Sequence, residues 1–266
     1  MRRRGCCCKR CWGRCRLKVV MSIQSDRLMY SKSTQWTFTG RALDKDFTVS
    51  TKGCVGLALV AGGSYTSKSV TCNITAAGPL AVRVEAKLAN GTVLLGKTMD
   101  VPAPQVTMTT NLGNMVLELD AAVAPLTVNN FLQYVNDQFY DNTLIHRIVT
   151  SGIFLAQGGW LTPTPEVKAG LRAPIALELG KGLSNVRGTI AMARTSVLNS
   201  ATSQFYVNLS DNVALDTANG GYAVFGRLVS GLPVLEALAA TPTATQYSLN
   251  DFPVQSVWVQ SAAQTR

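Results

Sequence analysis

Leu144-Ile145-His146-Arg147-Ile148-Val149 and Phe154-Leu155-Ala156-Gln157 are two short apolar runs interrupted by groups capable of chemistry. Runs of four to six residues rich in Ile, Val and Leu predict strands rather than helices. Their neighbours repeat the pattern at Thr189–Ala193, Phe205–Asn208 and Ala223–Leu228. Upstream, Val106–Thr110 and Asn114–Leu119 flank Asn111-Leu112-Gly113, a hairpin signature. Between these strands Val128, Phe131, Leu132 and Val135 fall at i, i+3, i+4 and i+7, an amphipathic helix entered through Pro125. Leu232–Ala240 predicts a second short helix and Val254–Gln260 a last strand. Many antiparallel strands with two helices predict a mainly β fold, a closed barrel with helical caps.

The earlier part of the chain is a different β region. Trp36–Thr39, Phe47–Ser50, Val70–Ile74, Leu80–Val84 and Val93–Leu95 alternate over short lengths between turns such as Ala89-Asn90-Gly91. That spacing predicts a small β-sandwich-like domain over residues 25–100. Val101-Pro102-Ala103-Pro104-Gln105 is a linker by composition, and residues 106–266 form the second domain. Cys54 and Cys72 close a loop inside the first domain. A disulfide there contributes roughly 3 kcal/mol through chain entropy, and two buried free thiols are the alternative.

Composition narrows the function classes. Of the 266 residues 47% are apolar and 15% charged, with mean hydropathy +0.15, which suits a packed core. The longest uninterrupted apolar candidate, Cys54–Ala61, is far too short for a membrane span. The net charge of +10 is local. Eight basic residues (Arg2, Arg3, Arg4, Lys9, Arg10, Arg14, Arg16, Lys18) and no acid lie in residues 1–24, and subtracting them from 25 leaves 17 against 15 acids. A nearly neutral body gives nucleic acid little electrostatic reason to bind. The tail also holds Cys6, Cys7, Cys8, Cys11 and Cys15, but its CxxC has no second pair for zinc. It lacks the apolar core of a signal peptide, so residues 1–24 are taken as a disordered tail. His146 is the only histidine, which excludes metal sites needing two. GxGxxG after a strand, GxxxxGK[ST], HExxH and GxSxG are all missing, and no cofactor is expected.

A set of unlike blocks remains: Phe139-Tyr140-Asp141-Asn142-Thr143, His146-Arg147, Gln157-Gly158-Gly159, Arg187–Arg194, Ser200–Tyr206 and Gly221–Gly226. In this order and spacing, Val106 to about Ala262 resembles the cyclophilins, peptidyl-prolyl cis–trans isomerases, and in particular their short bacterial type. The resemblance does not extend to residues 1–105. It implies an isomerase acting on Xaa-Pro bonds of unfolded or flexible polypeptides.

That chemistry suits the residues. Rotation about a prolyl bond loses amide resonance across a barrier of about 18–20 kcal/mol, with no bond made or broken. The twisted nitrogen becomes a hydrogen-bond acceptor, and a fixed cationic donor binds that state better than either planar isomer. By resemblance Arg147 is the donor and Gln157 the neighbour that orients it. Phe154, Leu155, Tyr206, Leu215 and Tyr222 wall the proline slot, while Ala193, Arg194 and Gln204 line the peptide groove. His146 belongs to the motif as a structural or groove-edge residue.

The chain departs from the family at three points. Nine residues, Ile148 to Ala156, separate Arg147 from Gln157, two more than usual, which bears on the register of Phe154 and Leu155. Tyr206 replaces the commoner phenylalanine, and Ala214 stands where many members carry Trp or Phe. The rival reading is a proline-peptide binding module or holdase with little turnover, and a third places function in the N-terminal region as an adhesion or docking element. A monomer is expected, in a periplasmic or exported location with a cytoplasmic one as the alternative.

Overall fold

The structure, a computed structural model, describes residues 18–44, 47–179 and 182–266. The chain divides into two compact units, the first drawn mainly from residues before Asp100 and the second mainly from those after it.

The first unit holds β1 (Val19–Ser25), β2 (Ser33–Arg41), β3 (Thr48–Lys52), β4 (Cys54–Leu59), β5 (Ser67–Ile74), β6 (Gly78–Lys87) and β7 (Val93–Val101). They form two sheets, ordered β1-β2-β5-β4 and β3-β6-β7. Alternation explains the burial: Thr34, Trp36 and Phe38 of β2 point inward, and Val70, Cys72 and Ile74 of β5 do the same. The Phe38 ring meets the edge of Phe47 at 5.7 Å, and the Trp36 indole N–H donates to Cys72 Sγ at 3.1 Å. Cys54 and Cys72 are joined by a disulfide with Cα atoms 5.8 Å apart, linking the adjacent strands β4 and β5.

Two expectations change here. The tail assigned to residues 1–24 ends earlier, because Val19–Ser25 is a strand paired antiparallel with β2. Val20 and Ile23 bury on it, a three-residue spacing that a bulge between Val20 and Ser22 reconciles with a strand. The metal reading of the tail cysteines lies outside the described residues. Val101 ends β7 fully buried and Gln105 opens the next strand, so Pro102-Ala103-Pro104 alone separate the two.

The second unit continues with β8 (Gln105–Thr110), β9 (Gly113–Leu119), α1 (Pro125–Asn136), β10 (Thr143–Ser151), β11 (Ile153–Gly158), β12 (Thr189–Met192), β13 (Phe205–Asn208), β14 (Val224–Ser230), α2 (Leu232–Ala239), β15 (Thr243–Gln246), β16 (Leu249–Pro253) and β17 (Trp258–Gln264). Eight of these strands close a barrel in the order β10-β11-β13-β12-β14-β9-β8-β17. Its core includes fully buried Met108, Met115, Phe131, Tyr134, Tyr140, Phe205 and Phe225. Phe131 of α1 packs on Tyr140, Phe205 and Phe225 at 5.0–5.8 Å between ring centres.

Helix α1 has no local side-chain cap at Ala124. The carboxylate of Glu178, far along the chain, accepts instead from the backbone N–H groups of Leu126 and Thr127 and from the Thr127 hydroxyl. An acceptor anion at a helix N-terminus satisfies orphan donors and complements the helix dipole. This contact ties the long β11–β12 connection to the barrel. At the end of β11, Gly159 has φ +82°, and a Cβ there would lie 2.7 Å from the Ser203 carbonyl oxygen. Only glycine fits that close approach.

The last strand is shifted from its expected place. Val254–Val257 lie outside any strand, and β17 runs Trp258–Gln264 beside β8. The hairpin β15–β16 fills the space before it, turning through Tyr247 and Ser248, both at positive φ. Neither residue is the Gly or Asn that usually announces such a turn, so the sequence carries no signal for it.

Candidate active site

Arg147, Gln157 and Tyr206 lie on one rung of the barrel. Arg147 of β10 pairs with Gln157 of β11, and Gln157 pairs with Tyr206 of β13. Directly opposed residues project to the same face with Cβ atoms about 4.5–5.5 Å apart. A cation, an amide and an aromatic ring therefore stand side by side.

The bulge before Arg147 sets its aim. Ile145 pairs with Gly158 and Arg147 with Gln157, so His146 is the extra residue. Bulges re-aim a side chain while the extra residue goes unpaired in the ladder. His146 is buried, with its ring edge-on to Trp160 at 5.3 Å and its Nδ1 without a hydrogen-bond partner. Burial, with a smaller push from the Arg147 charge, lowers its pKa to about 4, so it is neutral at pH 7. Its position supports a structural role.

The groups around Arg147 differ from those the resemblance implied. Gln157 Nε2 donates to Gln204 Oε1 at 2.8 Å, and no hydrogen bond joins Gln157 to Arg147. Among the described residues the charged partner of Arg147 is Asp251, whose Oδ2 lies 3.5 Å from Nε. His146, Arg147, Gln157, Trp160, Gln204 and the Ser248–Asp251 segment line a cavity of about 390 Å³. Neither was anticipated: Trp160 follows the end of β11, and the Ser248–Asp251 segment is placed by the unsignalled β15–β16 turn.

Beside this cavity lies an apolar cluster. Leu155, Tyr206 and Leu215 are buried with Val149, Ala191 and Val224, and Ala193, Tyr222 and Ile153 pack against them half-exposed. Phe154 is not among them. It is 38% exposed, its backbone N–H and carbonyl both bonded to the Asn212 side chain. Along β11 strand alternation puts Phe154, paired with Thr150, on the face opposite Leu155 and Gln157. Ile153 takes the inward place.

Tyr206 keeps its hydroxyl out of the cluster. The OH donates to Asn185 Oδ1 at 2.7 Å, and Asn185 also accepts from Asn208 and donates to Asp216. Burial raises the phenol pKa far above its ordinary value, and the group stays protonated. The Asp216 carboxylate sits below its usual range, because hydrogen bonds from Ser184 and Asn185 outweigh the effect of burial. The Arg194 guanidinium lies 4.6 Å over the Tyr222 ring and donates to the carbonyls of Asn219 and Gly221, so it clamps the loop before β14. The Ala193 N–H donates to the Gln204 carbonyl. Ala214 is exposed on a short 3₁₀ turn beside buried Leu215.

Residues 105–264 match the cyclophilin type peptidyl-prolyl cis-trans isomerase family. The chain belongs to the cyclophilins. Among curated relatives, peptidyl-prolyl cis-trans isomerase cyp18 of Streptomyces antibioticus is 45% identical over 162 residues, 59% of this chain and 96% of that protein. Peptidyl-prolyl cis-trans isomerase B of Escherichia coli is 38% identical over 161 residues, again 59% of this chain and 96% of the relative. A cyclophilin type isomerase structure from Cryptosporidium parvum superimposes with a TM-score of 0.53 at 26% identity, covering 62% of this chain and 98% of its own. The cyclophilin match leaves residues 1–104 uncovered. Cyclophilins are isomerases that act on proline-containing peptides, and this chain carries their eight-stranded barrel.

Proposed function

We propose that Arg147 accelerates Xaa-Pro isomerisation by donating to the prolyl nitrogen as it twists, while the proline ring rests against Leu155, Tyr206 and Leu215 with Tyr222 and Ala193 at the rim. The observation that carries this reading is the shared rung of Arg147, Gln157 and Tyr206. A donor on β10 beside an apolar platform on β11 and β13 matches a reacting nitrogen that belongs to the ring being held. The planar amide nitrogen offers no usable lone pair and the twisted one does, so the bond strengthens only in the transition state. An acceleration of ~10⁵ requires about 7 kcal/mol of such differential binding, more than a lone exposed cation supplies. The Gln157–Gln204 bond fixes the neighbouring amide, and the platform fixes the ring, which supplies the remaining orientation. No step uses His146 as a base, consistent with its burial in the neutral form.

One copy of the chain holds every group in this scheme, which supports a monomer as the working unit. The Cys54–Cys72 disulfide supports an oxidising, periplasmic or exported location over a cytoplasmic one. Proline-peptide exchange followed by NMR with Arg147→Ala tests the mechanism. Turnover falls at least ~100-fold, about 2.7 kcal/mol of barrier, with unchanged circular dichroism. Retention of most activity would remove Arg147 from the chemistry. Tight peptide binding without turnover by the unaltered protein would favour the binding-module or holdase reading.

A further inference from the structure

We propose that Asp251 is a positioning residue for Arg147, carried to it by the β15–β16 hairpin. The inference rests on the reading of Arg147 as the donor. The carboxylate contacts Arg147 at Nε, the root of the guanidinium, with Oδ2 3.5 Å away. Among the described residues the two terminal nitrogens have no hydrogen-bond or salt-bridge partner, so the pairing leaves that end of the fork free to donate. An arginine held at one edge loses rotamer freedom before substrate arrives, and the ordering cost is then not charged to the transition state.

The hairpin is built to hold this carboxylate in place. Phe252, next in sequence, is 2% exposed and buried with Leu144 and Leu161, with Trp160, Leu249 and Trp258 packed around them. The Tyr247 ring meets Phe252 edge-on at 5.3 Å. Leu144 lies on β10, the strand that carries Arg147, so donor and carboxylate share one apolar support. Asp251 itself has φ +56°, a left-handed conformation that Asp and Asn tolerate better than other side chains. Such a conformation persists where the surroundings over-determine it.

Both side chains are near 40% exposed, so the attraction between them contributes little to stability. Its effects are on pose and on local charge. With Asp251 the cavity wall presents a neutral pair. Without it, the wall presents an unpaired cation that draws acidic residues beside the proline.

The test is a double-mutant cycle in the full-length protein: unaltered, Asp251→Asn, Arg147→Ala and the combination, assayed by NMR exchange on peptides with Ala, Lys or Glu before proline. Asn keeps the shape and tolerates the backbone. Asp251→Asn lowers kcat on the Ala peptide about fivefold with KM within about twofold, and raises the Glu-to-Lys ratio of kcat/KM about threefold. In the Arg147→Ala background it changes neither. An equal loss in both backgrounds, or none in either, overturns the proposal. If Arg147→Ala itself keeps full activity, the reading of the donor fails instead. Asp251→Gly, which also suits the backbone, repeats the cycle if the Asn variant does not fold.

Discussion

The two units of this chain use the same material, short antiparallel strands, and stabilise it in different ways. The barrel closes on itself, so every one of its eight strands has a neighbour on both sides. The N-terminal sheets stay open, ending at β1 and β4 in one and β3 and β7 in the other. On β4 the side chains of Val55, Leu57 and Leu59 are exposed. An open apolar edge is the costlier design, and here a disulfide fastens it to β5. In the barrel the staple is replaced by closure and by buried polar networks such as Asn185 with Tyr206, Asn208 and Asp216. The difference teaches where precision is held: the closed unit keeps a cation, an amide and an aromatic ring on one rung.

Removing the staple should therefore hurt one unit alone. Cys54→Ala with Cys72→Ala lowers the stability of the N-terminal unit by roughly 3 kcal/mol, while proline turnover stays as it was. Calorimetry beside an activity assay checks this, and equal damage to both units would erase the contrast.

Acid should act on the barrel through His146. Its folded pKa, about 4, lies below the ordinary histidine value of 6.5, so the unfolded chain binds its proton first. Stability is then fully present above pH ~6.5 and falls by about 3 kcal/mol as pH drops to ~4. The lowered carboxylates Asp216 and Glu118 add their losses at still lower pH. Urea unfolding of the barrel at pH 7.5 and 4.5 measures the slope. A flat profile would mean that His146 is not held neutral by burial.

A smaller effect is expected at Tyr206. Tyr206→Phe leaves an acceptor position of buried Asn185 unfilled and costs about 1–2 kcal/mol of stability. Turnover is nearly unchanged, since the hydroxyl faces away from the slot. A large loss of turnover at full stability would give the hydroxyl a part in the chemistry.

The legibility of the two units also differs. Helix α1 was visible because Val128, Phe131, Leu132 and Val135 repeat at helical spacing and all bury. The strands around Arg147 and Gln157 were visible as apolar runs, and the groups on their rung stood out by resemblance. Phe154 was misplaced because the resemblance put it in the slot together with Leu155, whereas neighbours on a strand face opposite ways. Asp251 was hidden because its hairpin turns without Gly or Asn. β1 was hidden because its apolar positions, Val20 and Ile23, are spaced by a bulge and follow a run of charge.

The most direct measurement is the isomerase activity of residues 105–266 alone against the full chain. All eight barrel strands, the Arg147–Gln157–Tyr206 rung and Asp251 fall inside that fragment. It should fold and turn over proline peptides with kcat/KM within about twofold of the full chain, a difference under ~0.4 kcal/mol. An inactive or unfolded fragment beside an active full-length protein would contradict the account, because the open unit would then be completing the closed one.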